Sequence, residues 1–312
     1  MEYGSRRYMR VGVAVLAVSP AAFWGLRSSF QAPPPAASVA WAPAHPTQGS
    51  AVVIIVRPSA DSGSDAVIAV RGTLAGQPLS FERDPDGRFR ALGALPANAS
   101  AHTLLPLALV QTSGDTVHQV AHVAVAAGRF ATERLRLPPR FVTPPDTLVP
   151  QLREERRIIR EALAQTSRTA RIWDTTFVRP VAGRVTDRFG TARVLNGETR
   201  SRHLGVDLSG GRGTPIHATN RGVVVAAGRF YYQGNAVYVD HGGGLVTVYM
   251  HMSRRLVAVG DTVRAGQVIG FVGATGRVTG PHLHWTAYFN RVVFNPLSLL
   301  HLPAEEVAAF TS

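Results

Sequence analysis

The chain contains neither cysteine nor lysine, so every one of its 33 basic residues is arginine. Without cysteine there can be no disulfide, no thiolate metal site, no cysteine nucleophile and no lipidated N-terminal cysteine. Any bound metal must therefore sit on His, Asp or Glu. Without lysine there is no P-loop ammonium, no Schiff base and no side chain to carry biotin or lipoate. Charged residues are sparse, at 17% against 45% hydrophobic, which places the chain among globular proteins with real cores. Acidic residues number only 20, leaving a net charge of +13. An arginine-only basic set has two sources: GC-rich coding, and affinity for an anionic polymer such as a cell-wall glycan, nucleic acid or lipid headgroups. Charge alone does not choose among these.

At 312 residues the chain is long enough for two domains once its N-terminus is set aside. Arg6, Arg7 and Arg10 precede an apolar run from Val11 to Leu26, broken by Pro20 and closed by Arg27. Residues 1–30 thus read as an export signal or a short membrane anchor, since the run falls below the roughly 20 residues of a comfortable transmembrane helix. Ser38-Val39-Ala40 is a distant candidate for a cleavage site. The expected location is the periplasm or cell envelope. Residues 31–48, with Pro33-Pro34-Pro35, read as a Pro/Ala-rich linker.

From Ala51 onward, short β-rich runs (Ala51–Val56, Ala66–Val70, Val117–Ala126) alternate with Gly, Pro, Asp and Ser clusters, which predicts a β-sandwich over 49–140. A linker over 141–177 carries one amphipathic helix, Gln151 to Arg168, with apolar positions at Leu152, Ile159 and Leu163 and a solvated charged face. Short strands with closely spaced glycines then return over 178–302, the pattern of tightly turning antiparallel sheets, before a tail at 303–312. The stretch Val257 to Gly273 is similar to the hairpins of biotinyl and lipoyl carriers, but without lysine only the architecture can be shared.

Six of the eleven histidines fall between His203 and His284. His203-Leu204-Gly205-Val206-Asp207 is an HxxxD in a glycine-containing β segment, where positions four apart share a face of a strand. In Pro281-His282-Leu283-His284-Trp285 two histidines, about 7 Å apart by the rise of a strand, project from one face while Leu283 turns to the other. In Tyr249-Met250-His251, Tyr249 and His251 share a face of the strand that follows His241-Gly242-Gly243-Gly244. His203, Asp207 and His284 together offer two imidazoles and a carboxylate, a three-ligand set that leaves a zinc ion one open position. Zinc so held would acidify a water and polarise a carbonyl, leaving His282 and His251 to handle the proton and the developing oxyanion.

Other histidines read more plainly. His217 and His241 lie beside turns and suit hydrogen-bonded loop positions, whereas His118 and His122, set among alternating valines, suit the wet face of a strand better than a zinc helix. Trp285 is a packing residue or a groove lining. Tyr249 either steadies an oxyanion or packs in the core.

In this order, and on glycine-rich β segments, the HxxxD, His251 and the His282-x-His284 pair resemble the lysostaphin/LytM-type peptidases of family M23. Surrounding words agree, among them Phe189-Gly190, Gly213-Thr214-Pro215-Ile216-His217-Ala218, Asp240-His241-Gly242, Gly266-Gln267-Val268-Ile269-Gly270 and Thr279-Gly280-Pro281-His282-Leu283-His284. The likeness covers roughly residues 178–300. It implies a mainly β protein: an N-terminal β-sandwich, a linking α-helix and a C-terminal antiparallel β domain of the lysostaphin-like, barrel-sandwich-hybrid kind. It further implies one zinc per chain on His203, Asp207 and His284, a catalytic pair in His251 and His282, and peptidoglycan stems or crosslinks as substrate. Met250 and Met252 flank His251 where the family often has smaller or aliphatic residues. The rival class is a non-catalytic wall-binding or hydrolase-activating module, which has no need of the complete set. A nucleic-acid binder lacks any matching motif and conflicts with export.

Overall fold

The computed structural model describes residues 36–59, 65–136, 145–166, 169–197 and 199–310. The export signal or anchor at 1–30, the triple proline and Pro138-Pro139 lie outside them. Among the described residues, no helix is long and apolar enough to cross a membrane.

Strands are numbered in chain order. One four-stranded sheet runs in the order β1 (Ala37–Ala42), β2 (Ala51–Pro58), β6 (Phe89–Ala94), β5 (Glu82–Arg83). A second runs β4 (Gln77–Leu79), β3 (Val67–Leu74), β7 (His102–Gln111), β8 (Thr116–Ala124). They face each other through Ile54, Ala91, Val70, Leu105, Leu107, Leu109 and Val123, the inward half of alternating strands. On the outer sheet His118 and His122 are exposed, as a wet strand face requires.

The linker reading of 31–48 gives way at its C-terminal end. Ala37–Ala42 is a strand paired with Val53–Pro58, Ala37 is fully buried, and the candidate cleavage site Ser38–Ala40 lies inside this strand. Neighbouring prolines mask the strand in the sequence, but an edge strand tolerates proline at its ends.

The sandwich is not a separate bead. All six residues of Ala51–Val56 and all six of β6 are buried, because this sheet has a partner on each face. Its apolar cluster continues into Trp173, Phe177, Leu245, Phe289, Phe294, Leu299, Leu302, Val307 and Phe310. Ser298 Oγ accepts from the Ala51 amide at 2.8 Å, and the Asn295 amide donates to Gly49 O at 2.7 Å. The tail at 303–312 is likewise no loose end. Helix α2 (Ala304–Ala308) carries buried Val307, Glu306 pairs with Arg90, and Phe310 packs edge-on against Trp173 at 5.0 Å under the Arg171 guanidinium.

Helix α1 (Val149–Thr166) begins two residues before the predicted start. It rests Ile159, Ala162 and Leu163 on Ala226, Phe230 and Tyr238, leaving Arg157 paired with Glu154 and Glu161 in solvent.

The C-terminal sheet has ten strands. Its main order is β10 (Val185–Asp187), β13 (Val206–Ser209), β20 (His282–Phe289), β17 (Leu245–Arg255), β16 (Gly234–Asp240), β15 (Gly222–Phe230), β18 (Thr262–Val263). Strand β14 (Pro215–His217) pairs with β19 (Val268–Val272), β19 also with β17, and β21 (Val292–Phe294) with β20. Beside it a hairpin of β11 (Ala192–Leu195) and β12 (Thr199–Arg202) takes on β9 (Thr132–Leu135), the strand leaving the sandwich, as a parallel neighbour. A second apolar core, with Val206, Leu208, Val237, Tyr249, Leu283 and Trp285, lies under the central strands.

Candidate functional site

Two neighbouring strands supply most of the site. In the β13–β20 pairing Asp207 lies opposite His284 and Ser209 opposite His282, so one face presents the carboxylate and both imidazoles while Leu283 and Trp285 turn into the core. Trp285 is therefore a packing residue.

His203 arrives by another route. It lies ahead of β13, not on it, so the shared strand face expected of the HxxxD does not place it. Its backbone instead extends the β11–β12 hairpin, exchanging hydrogen bonds with Gly190 and Thr191. Gly205 lets the chain fold back: a Cβ there would lie 2.6 Å from both His284 Nε2 and Trp285 O.

The three donor atoms converge. His284 Nδ1 lies 2.8 Å from Asp207 Oδ1, and His203 Nε2 lies 3.0 Å from that oxygen and 2.9 Å from His284 Nδ1. The other nitrogen of each ring has its own partner. His203 Nδ1 is 3.0 Å from the Arg188 carbonyl and 3.1 Å from Asp187 Oδ2, and His284 Nε2 is 2.9 Å from Thr286 Oγ1. A carbonyl can only accept, so His203 carries its proton on Nδ1 and turns a lone pair toward Asp207 and His284. Acceptors behind the imidazoles and lone pairs in front make a set that fits a metal ion. Burial pushes the Asp207 carboxyl upward, but the His203 and His284 rings, which can donate to it only when the facing nitrogen is protonated, outweigh burial and hold the group well below its ordinary range. Burial lowers His284, against the pull of Asp207.

His251 is in the site for a reason strand alternation does not supply. Met250 pairs with His284 and Tyr249 with Trp285, so an unbroken strand would send His251 to the core side with Tyr249. The ladder between β16 and β17 slips here, and His251 adopts φ 63°, rare for a residue with a side chain. Beyond it β17 leaves β20 and pairs with β19. This bulge sets the His251 ring 5.1 Å from that of His282 and 5.8 Å from that of His284, with Nδ1 2.9 Å from Thr275 O. Burial, and then the charge on His284, lower His251 to about 3. Tyr249 does not share its face: its hydroxyl, wholly buried, accepts from the Thr219 amide at 2.8 Å and lies 2.9 Å from Thr247 Oγ1. The oxyanion role for Tyr249 is thereby excluded. His282 Nδ1 lies 2.9 Å from Gly280 O, and Nε2 lies 3.7 Å from Asp207 Oδ1.

His217 and His241 stay outside. His217 Nδ1 meets Pro180 O at 3.2 Å, and His241 lies between Arg221 O and Thr247 Oγ1, each 2.7 Å away.

The sequence reading missed three contributors. Asp187 backs His203, Arg193 pairs with Asp187 and approaches Asp207 Oδ2 at 3.7 Å, and Thr286 backs His284. Only Thr286 carried a local signal, two residues after His284 on the same strand face. The site opens into a cleft of about 580 Å³ whose walls include Asp187, Arg193, His251, His282 and the segment Arg277–Pro281. Glu133, from the strand leaving the sandwich, and Arg136, just after it, also line it.

Comparison with known proteins matches residues 201–296 to peptidase family M23. The DD-carboxypeptidase/endopeptidase Mpg of Neisseria meningitidis is 47% identical over 105 residues, 34% of this chain and 24% of that protein. The peptidoglycan DD-endopeptidase ShyC of Vibrio cholerae is 42% identical over 115 residues, 36% of this chain and 26% of that protein. The chain thus spans about a quarter of the length of these curated relatives. A solved Pseudomonas aeruginosa structure of the M23 peptidase kind aligns over 82% of this chain and 95% of its own length, at 25% identity and a TM-score of 0.60. That alignment extends well beyond the matched segment. The stretch 201–296, which carries His203, Asp207, His251, His282 and His284, is a domain of peptidase family M23.

Proposed function

We propose that this chain is a zinc-dependent metalloendopeptidase that hydrolyses peptide bonds in peptidoglycan stems or crosslinks, acting in the cell envelope after export through residues 1–30. One observation carries the reading: three potential ligand atoms converge within 3.0 Å at a cleft, beside two further imidazoles. Two nitrogens and a carboxylate oxygen suit zinc, and three protein ligands are the number typical of a catalytic site. The names of the relatives supply the substrate class.

When bound, zinc supplies Lewis acidity toward a carbonyl oxygen and toward water. The chain's own groups do the rest. His203, Asp207 and His284 would hold the ion, with Arg188 O, Asp187 and Thr286 keeping both rings oriented. His282 gives its Nδ1–H to Gly280 O, and His251 its Nδ1–H to Thr275 O, so each keeps Nε2 as a base. Such a nitrogen takes a proton from the attacking water. Once protonated, the same Nε2–H becomes a donor, able to stabilise the oxyanion or pass the proton to the leaving amine.

Paired replacements in the full chain test this reading, with metal content and muropeptide release from purified sacculi measured on the same preparations. His284→Ala removes a ligand, so both zinc and stability fall. His282→Ala keeps near-stoichiometric zinc while turnover drops by a factor on the order of 10² to 10⁴. The reverse pattern exchanges the two roles. Hydrolysis unaffected by either change, or a folded wild type that holds no metal, sinks the proposal in favour of a binding module.

A further inference from the structure

Helix α1 lies outside the stretch 201–296 that matches family M23, yet one of its side chains reaches the turn that holds His251. Both carboxylate oxygens of half-buried Glu155 lie 3.0 Å from the Tyr231 amide, which donates to them, and Gln151 Nε2 donates to Oε1 at 2.8 Å. A carboxylate accepting a backbone N–H makes a charge-assisted bond, roughly twice as strong as a neutral one. The helix is itself fixed, since Ile159, Ala162 and Leu163 rest on Ala226, Phe230 and Tyr238. Tyr231, Tyr232 and Gln233 form the turn between Phe230 and Gly234, which pair with each other across the β15–β16 hairpin. Two carbonyls of this turn are engaged at the site: Tyr232 O accepts from the Arg277 amide and Gln233 O from the His251 amide, each at 2.9 Å. Just past the turn the Asn235 amide donates to Thr275 Oγ1 at 2.9 Å, and Thr275 O is the acceptor for the His251 ring. These backbones meet without slack. A Cβ on Gly234 would lie 2.3 Å from Thr275 O, and one on Gly276 would lie 2.6 Å from Tyr232 O. A shift of the turn is therefore passed to both groups that hold His251, the acceptor of its amide and the acceptor of its ring. His251 depends on them, because its φ of 63° persists only where the surroundings over-determine it.

We infer that Glu155 is a positioning residue for His251: through the Tyr231 amide it fixes the turn that holds the His251 backbone and its Thr275 acceptor, so that full turnover requires a side chain of the linking helix. The inference rests on the peptidase reading and deepens it, by giving the site a control point outside the family segment.

Turnover of a synthetic cross-linked stem peptide, zinc content and the nitrogen NMR shifts of the His251 ring, assigned by their loss in His251→Gln, provide the test on the full-length, zinc-loaded chain. Glu155→Ala removes the acceptor while keeping a good helix former in mid-helix. Its kcat is expected to fall by about 10- to 100-fold, the scale for a misplaced reacting group, with KM within about threefold of wild type and zinc retained. Its His251 ring should pass from a single Nδ1–H tautomer to a mixture. Glu155→Gln, which keeps an acceptor oxygen at the same reach, should restore kcat to within about threefold of wild type. Leu163→Ala, which removes packing from the same helix, should lower the melting temperature yet leave kcat within about threefold. A Glu155→Ala chain with wild-type kcat overturns the inference and leaves the peptidase reading standing. So does one that loses its zinc, one slowed with the His251 tautomer unchanged, or a Leu163→Ala chain slowed as much, since each would make Glu155 a general brace. If wild type cleaves nothing, the peptidase reading fails, while the His251 tautomer alone still decides whether Glu155 positions the ring.

Discussion

Adding one methyl group at Gly205 tests whether the metal site depends on how closely the backbone passes behind it. In Gly205→Ala the new Cβ would lie 2.5 Å from Thr286 Oγ1, 2.6 Å from His284 Nε2 and 2.6 Å from Trp285 O. Ordinary contacts begin near 3.4 Å, so each is short by about 0.8 Å. Trp285 belongs to a strand hydrogen-bonded on both sides, to β13 and to β17, and its carbonyl cannot retreat. The His284 ring can, but only by leaving Asp207, His203 and Thr286. Overpacking of this kind costs about 1–3 kcal/mol. If ring rotation relieves it, the same energy is taken from metal binding, a loss of about 5- to 160-fold in affinity. If the ring stays, the cost appears instead as a lower melting temperature. Zinc affinity by competition with a chromophoric chelator, together with thermal melting, captures either outcome. Gly211→Ala is the control, since a Cβ there meets nothing within 4 Å. Should Gly205→Ala match wild type in both measurements, the account of the close approach is wrong.

Two further outcomes are expected. A chain starting at residue 170 keeps every proposed ligand but exposes Leu245, Phe289, Phe294 and Leu299, and each fully buried side chain of this size contributes roughly 1.5–3 kcal/mol. The sum rivals the ~5–15 kcal/mol of a whole domain, so this fragment should be unstable or aggregated, and cooperative melting at the full-length temperature would refute the shared core. Burial lowers wholly buried His241 to about 4 from its ordinary 6.5, so the unfolded chain binds the extra proton first as pH falls. The associated stability is fully present above pH 6.5 and drains by up to about 1.4 kcal/mol per pH unit down to about pH 4, roughly 3 kcal/mol in all. Denaturant titrations at pH 7.5, 5.5 and 4.5 should therefore show wild type and His241→Gln converging, and parallel curves would contradict this.

Much of the site was legible because part of it obeys a local period. His282 and His284 alternate with Leu283 and Trp285, and the strand they form obeys that alternation to the residue. Asp207 follows, since β13 presents it opposite His284. His251 was legible only as a residue type in a suggestive word. Its face is set by a slipped ladder and a positive φ, and period-2 reasoning assigns it to the wrong side with Tyr249. Asp187 and Arg193 carried no local signal, because the pairings that bring them to His203 and Asp207 join β10 to β13 and close the β11–β12 hairpin.

The same distinction explains the domain boundaries. Composition separates a sandwich, a linker and a C-terminal domain, because proline and helical periodicity are local properties. What joins them is not local. Strand β1 is recruited out of the proline-rich stretch, β9 leaves the sandwich to become the outer neighbour of β11, and the tail returns to cover β2 and β6. Among the described residues, the sandwich sheets contribute none to the wall of the cleft, which receives Glu133 and Arg136 from the N-terminal part. A sandwich that covered the cleft would have to place β3, β7 or β8 against His251 and His282. Instead its apolar cluster joins Leu245, Ala287 and Phe289, at the far ends of the strands that carry Met250 and His284. The N-terminal half therefore acts on the site as a foundation beneath its strands and, through β9, as a brace for the Arg193 wall.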